Sequence, residues 1–248
     1  MAKVIILNQA TIDPAYSVVD ALSRTTWGLY QHPEVQIIHY YGAYDTNHSI
    51  VTGFPKVPAR GEVELFSDGR MLVGANDTLG NYFDPRGEKM MLAFEYCLKN
   101  LEFDFILRIC NTSYIDVPKV HEHLSSIRKE RIYDGTRNMH NNETYFVTGF
   151  NSFLSRDVVE KVVEHKEQFL AIPYLEDLAL GKLIIHDLSL TSFEDQPHKE
   201  THVWAFDDTF DPGHYVNSSI FNYRFRSHTP EKFIAFHEWI TEYRKNNV

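Results

Sequence analysis

The chain has 248 residues, enough to bury a sizeable core within one large domain. Its formal charge of −10 makes it a poor non-specific binder of phosphate backbones, so nucleic acid is a disfavoured partner. No apolar run reaches membrane-spanning length, MAKVIILNQA lacks a signal-peptide core, and Cys97 and Cys110 show no CxxC spacing; two buried free thiols in a reducing cytosol are expected.

Residues 3–7 read as a first strand, short, apolar and bounded by Asn8 and Gln9. Asp13-Pro14 starts a helix carrying Val18, Val19 and Leu22, and 35–41 is a second strand. Glycine and proline recur over 43–85, where loops and short strands are expected, including Met71-Leu72-Val73. Met91, Phe94, Glu95 and Leu98, at i, i+3, i+4 and i+7, predict a helix over 88–101. Phe105-Ile106-Leu107 predicts a strand that runs into a polar turn, Arg108 to Ser113. Pro118 opens a helix reaching 129, and 145–147 reads as a strand. A small-residue turn follows from Gly149, then a helix over 155–167 with Ser155 as N-cap. Helices are also expected over 175–185 and 230–245, the last with Phe233, Phe236, Trp239, Ile240 and Tyr243 on one face. Alternating strands and helices predict a layered α/β fold.

In such folds ligands collect at the carboxyl ends of strands, which makes the turn after Leu107 a candidate site. Glu176-Asp177 follows Pro173 at a helix start, where the dipole favours acids, so on residues alone it reads as a capping pair. Gly149 permits close backbone approach, and a lone arginine is ordinarily a solvated charge. His121 and His123 fall on different helix faces, and His198 and His202 lie in a stretch that reads as loop. No P-loop, dinucleotide fingerprint, HExxH or GxSxG is present.

Phe103-Asp104-Phe105-Ile106-Leu107-Arg108, with Ser113-Tyr114-Ile115-Asp116 in register, resembles the strand (Y/F)DF(I/V)L(K/R)TDDD(S/T)(F/Y)(I/V)(N/D) of GT-A glycosyltransferases, in the fringe and β1,3-galactosyltransferase group and its viral and bacterial relatives. Four further segments resemble that group in the same order. They are Ser23-Arg24-Thr25-Thr26-Trp27; Asp77 to Tyr82 followed by Lys89; Thr148-Gly149-Phe150-Asn151 through Asp157; and Glu176-Asp177 through Gly181. The resemblance covers 3–186.

It implies a GT-A-like three-layer α/β/α sandwich with a central mixed sheet, its donor half over 1–115 and its acceptor half over 116–248. The implied activity is transfer of a sugar from a nucleoside-diphosphate sugar to a hydroxyl of a glycan, a protein or a modified nucleobase. Asp177 is the implied base, with Glu176 second; Arg24, Asp77, Lys89, Arg108, Cys110, Asn111, Thr112, Arg224 and Arg226 are donor candidates; Gly149, Phe150 and Asn151 line the acceptor side. Relatives grip Mn²⁺ or Mg²⁺ with the first and third aspartates of the turn. Cys110 and Thr112 stand there instead, so metal-independent transfer, or a binding module that has lost the chemistry, is implied.

Overall fold

The computed structural model describes residues 1–43, 54, 57–75, 86–196, 199–205, 210–216, 218–226 and 229–247. In chain order the elements are β1 (Val4–Gln9), α1 (Ser17–Thr25), β2 (Val35–Gly42), β3 (Val63–Leu65), β4 (Arg70–Val73), α2 (Arg86–Asn100), β5 (Phe105–Cys110) and β6 (Ser113–Ile115). There follow α3 (Val117–Ser126), β7 (Tyr133–His140), β8 (Thr144–Ser155), α4 (Arg156–Glu164), α5 (Lys166–Ala171) and α6 (Glu176–Gly181), which continues into a π-helical turn, Lys182–Asp187. β9 (His202–Trp204), α7 (Pro212–Tyr215), β10 (Asn222–Arg224) and α8 (Pro230–Asn247) complete the fold.

Among the described residues, seven strands form a mixed sheet in the order β3-β4-β2-β1-β5-β8-β7. β1 lies parallel to both β2 and β5, while β8 runs antiparallel to β5 and β7 to β8. The chain moves outward from β1 to β2 and β4, then returns to place β5 on the other side of β1. The carboxyl ends of β1 and β5, paired at Gln9 and Cys110, therefore flank a point where strand order reverses, the usual ligand crevice of a doubly wound sheet.

Period-two alternation explains why these strands sit in the middle. Ile5, Leu7 and Ile106 face one core with α2, α4 and α6. Val4, Ile6, Phe105, Leu107 and Ile109 face the other with α3 and α8. Helices thus cover both faces, as parallel strands require. A second sheet, β6-β10-β9, packs into the core shared with α8, and the Cys110–Ser113 turn is the link between the two sheets.

Two expectations are corrected, and one strand was not anticipated. The strand placed at 145–147 runs from Thr144 to Ser155, so the segment read as a turn after Gly149 is extended; its polar side chains find partners, Asn151 bonding Thr136 and Thr201. Its hairpin partner β7 was hidden by a polar sequence, YDGTRNMH, at the sheet edge, joined through Asn141 and Asn142 in left-handed conformations (φ 49° and 57°). The helix over 155–167 breaks at His165, and Ser155 occupies the N-cap position but its hydroxyl bonds Asp157 and the Ile132 N–H, not the helix backbone.

α6 can approach β8 only because position 181 lacks a side chain. A methyl at Gly181 would meet the Tyr145 carbonyl oxygen and Phe146 Cα at 2.6 Å. Gly181→Ala is expected to destabilise the protein by about 1–3 kcal/mol through overpacking, measured by urea unfolding. Unchanged stability would mean that α6 and β8 separate freely.

Candidate functional site

At the carboxyl ends of β1 and β5 the described residues build a buried polar chain. Arg108, 1% exposed, donates from Nη2 to Gln9 Oε1 at 2.5 Å and to Glu176 Oε1 at 2.6 Å. Tyr40 donates its hydroxyl to the same Gln9 oxygen at 3.2 Å. Lys89, also buried, donates to the Ala10 carbonyl at 2.9 Å and lies 5.2 Å from the centre of the Tyr40 ring. Burial works against the Arg108 charge, but Tyr40, Glu176 and Asp177 outweigh it and hold its pKa above the ordinary value.

Glu176 is buried in this pair, whereas Asp177 is half-buried. Asp177 Oδ2 accepts the Gly149 N–H at 3.2 Å, and Oδ1 accepts the Leu178 N–H at 2.8 Å. A β-carbon at position 149 would lie 2.6 Å from Arg108 Nη1, so any larger residue there would force the guanidinium to shift.

A second group surrounds the Cys110–Ser113 turn. Cys110 Sγ contacts Thr112 Oγ1 at 3.3 Å and accepts from Arg224 Nη1 at 2.6 Å. β10 pairs antiparallel with β6 so that Arg224 stands opposite Ser113, which carries its guanidinium to the turn. That guanidinium also lies 4.5 Å from the Phe150 ring centre and 5.9 Å from that of Trp204. His202 packs against both rings, at 5.1 and 5.4 Å, and shares a hydrogen bond with Thr136 Oγ1. Burial, then the Arg224 charge, push His202 down to about 4. Asn111 and Thr112 are buried in the turn itself.

The structure thus brings Arg108, Glu176, Asp177, Gly149 and Lys89 into one cluster, and Cys110, Arg224 and Phe150 to the adjoining turn. Asn151 turns inward to Thr136 and Thr201. Arg24 lies apart, paired at 3.2 Å with Asp20, which also accepts the Tyr41 hydroxyl. Arg226 is exposed beyond the end of β10, and Asp77 lies outside the described residues. Gln9, Tyr40, His202 and Trp204 were not anticipated. Gln9 closes β1 just beyond the strand read at 3–7, and Tyr40 lies inside the strand read at 35–41; Thr201-His202-Val203-Trp204 has no period-two alternation to announce β9. No protein-family model matches the chain, and no curated protein matches it.

Breaking the buried pair should be costly. Glu176→Gln leaves Arg108 uncompensated and is expected to cost about 3–5 kcal/mol, while the double variant Arg108→Met with Glu176→Gln recovers most of that loss in urea unfolding. Equal losses in both would show that packing, not charge balance, is what matters there.

Beside Arg24, His39 is 3% exposed, and its Nδ1 accepts from Asn8 Nδ2 at 2.9 Å, which leaves the ring neutral with its proton on Nε2. Burial, with Arg24 adding to it and Asp68 opposing it, pushes His39 from 6.5 to about 3. Between those values the unfolded chain binds the extra proton, so this contribution to stability is full above the upper value and lost as pH falls. The slope is about 1.4 kcal/mol per pH unit for one such group. His39→Gln should flatten the fall in melting temperature between about pH 6 and pH 4; an unaltered slope would place the titrating group elsewhere.

Proposed function

We propose that the chain is a GT-A-type glycosyltransferase that moves a sugar from a nucleoside-diphosphate sugar to a hydroxyl acceptor, with inversion and without a metal. The observation that carries this reading is Asp177, a half-buried carboxylate held by the Gly149 N–H beside a Glu176 whose charge Arg108 compensates. Arg108, which holds Glu176, lies on β5 beside the point where strand order reverses, and this supports the same reading.

In the proposed step the acceptor oxygen bonds to the anomeric carbon as that carbon's bond to the diphosphate oxygen breaks. The acceptor proton passes to Asp177, and the diphosphate leaves with the bonding pair. The turn does not suit the divalent ion used by relatives. Cys110 and Thr112 offer no carboxylate, and the Arg224 guanidinium, 2.6 Å from the Cys110 sulfur, would meet an incoming cation with like charge. Arg224 is proposed to stabilise the leaving diphosphate by charge-assisted hydrogen bonds. Phe150 and Trp204, the latter 45% exposed, would border the acceptor. The missing acids also suit a module that holds a sugar nucleotide without transferring it; donor hydrolysis in the absence of acceptor separates that reading from the enzyme.

UDP, GDP and dTDP sugars should be screened by thermal shift, with and without Mn²⁺, and hits followed by calorimetry. Asp177→Asn should cut turnover by roughly a hundredfold or more while donor affinity stays nearly intact. Arg224→Ala should weaken donor binding about tenfold, near 1.4 kcal/mol, and wild-type donor binding should survive EDTA. Wild-type turnover in the Asp177 variant, or a sharp Mn²⁺-dependent gain in affinity, would overturn the assignment.

A further inference from the structure

We infer that Arg108 is a positioning residue, which sets the Asp177 carboxylate through Gly149 and Glu176, and is not a ligand of the donor diphosphate. The consequence for turnover rests on the reaction proposed above; the positioning itself rests on geometry. Arg108 is 1% exposed, so a diphosphate would reach it only by opening the core. Its Nη2 is shared between Gln9 and Glu176, while its Nε and Nη1 are buried without a hydrogen-bond partner among the described residues, away from any route a diphosphate could take without opening the core. Its Nη1 lies 2.6 Å from where a Gly149 β-carbon would stand, so the glycine backbone rests directly on the guanidinium.

The two neighbours of Arg108 are the two supports of Asp177. Gly149 gives its N–H to Asp177 Oδ2 at 3.2 Å. Glu176 precedes Asp177 in the first turn of α6, and its ion pair fixes that turn against β5. One planar cation therefore holds the residue before the carboxylate and the backbone amide that orients it. Lysine could keep the ion pair but could not present a flat face to Gly149.

The test uses three variants. The double variant Arg108→Met with Glu176→Gln removes both charges together, so no lone buried ion remains to unfold the chain. Gly149→Ala places a methyl against the guanidinium, and Arg108→Lys keeps only the charge. Backbone amide exchange over residues 144–155 and UDP, GDP and dTDP affinities by calorimetry are measured for each, with kcat and KM where transfer is found. The expected result is faster exchange at Gly149 and kcat lowered about tenfold or more in the first two variants, as for a displaced reacting group. Nucleotide affinity should stay within about twofold, and Arg108→Lys should fall between them and wild type. Nucleotide affinity weakened tenfold with kcat kept would make Arg108 a donor ligand and overturn the inference, as would an unchanged Gly149 exchange rate. If the wild-type protein neither binds a sugar nucleotide nor transfers sugar, the proposed function falls, and the exchange rates alone decide: faster exchange supports the positioning role and unchanged exchange refutes it.

Discussion

The ion pair between Arg108 and Glu176 is the constraint around which the crevice is organised. Each ion loses several kcal/mol of hydration on burial, and their attraction makes up the loss only with close geometry and further hydrogen bonds. Here the contact is 2.6 Å and Gln9 supplies a further acceptor. The two bonds from Arg108 Nη2 tie β1, β5 and α6 into one relative arrangement, while its buried Nε and Nη1 have no hydrogen-bond partner among the described residues. α6 has only six residues, too short to hold helical structure by itself. It is pinned at its first turn by Glu176 and at its last residue by the close approach of Gly181 to β8. Asp177 gains its orientation from a helix that tertiary contacts, not local propensity, maintain.

The sequence made the framework legible where periodicity was strong. The strands at 3–7, 35–41 and 105–107, and the helices over 88–101 and 230–245, carry apolar patterns that the two cores demand, and the structure places elements there. β7 and β9 carried no such pattern. One is a polar edge strand and the other a three-residue strand, and their stability comes from pairing that a local reading does not see. The candidate site was legible as residue types at strand ends, not as partnerships. Nothing near Arg108 in the chain points to Glu176, which lies 68 positions away, or ties Cys110 to Arg224 across 114.

The second sheet explains how a cation reaches a turn without carboxylates. The strand that ends at Cys110 passes through two residues into β6, and β6 recruits β10 as its antiparallel neighbour. That pairing places Arg224 beside the Cys110 sulfur. The arrangement rests on backbone register, and it delivers a cation to the turn.

Arg108 and Arg224 show how burial separates two roles for one residue type. Arg108 sits in the interior, and its charge is cancelled locally by a carboxylate; it can shape the crevice but has little field to offer a ligand. Arg224 is half-buried, and its partners are a thiol and two aromatic faces. Such partners orient a guanidinium and lower its desolvation cost without supplying a full negative charge. In a chain of net charge −10, a positive field directed at any anionic ligand has to be local. An arginine held by a cysteine sulfur and aromatic rings meets that requirement, whereas one paired with a buried glutamate does not.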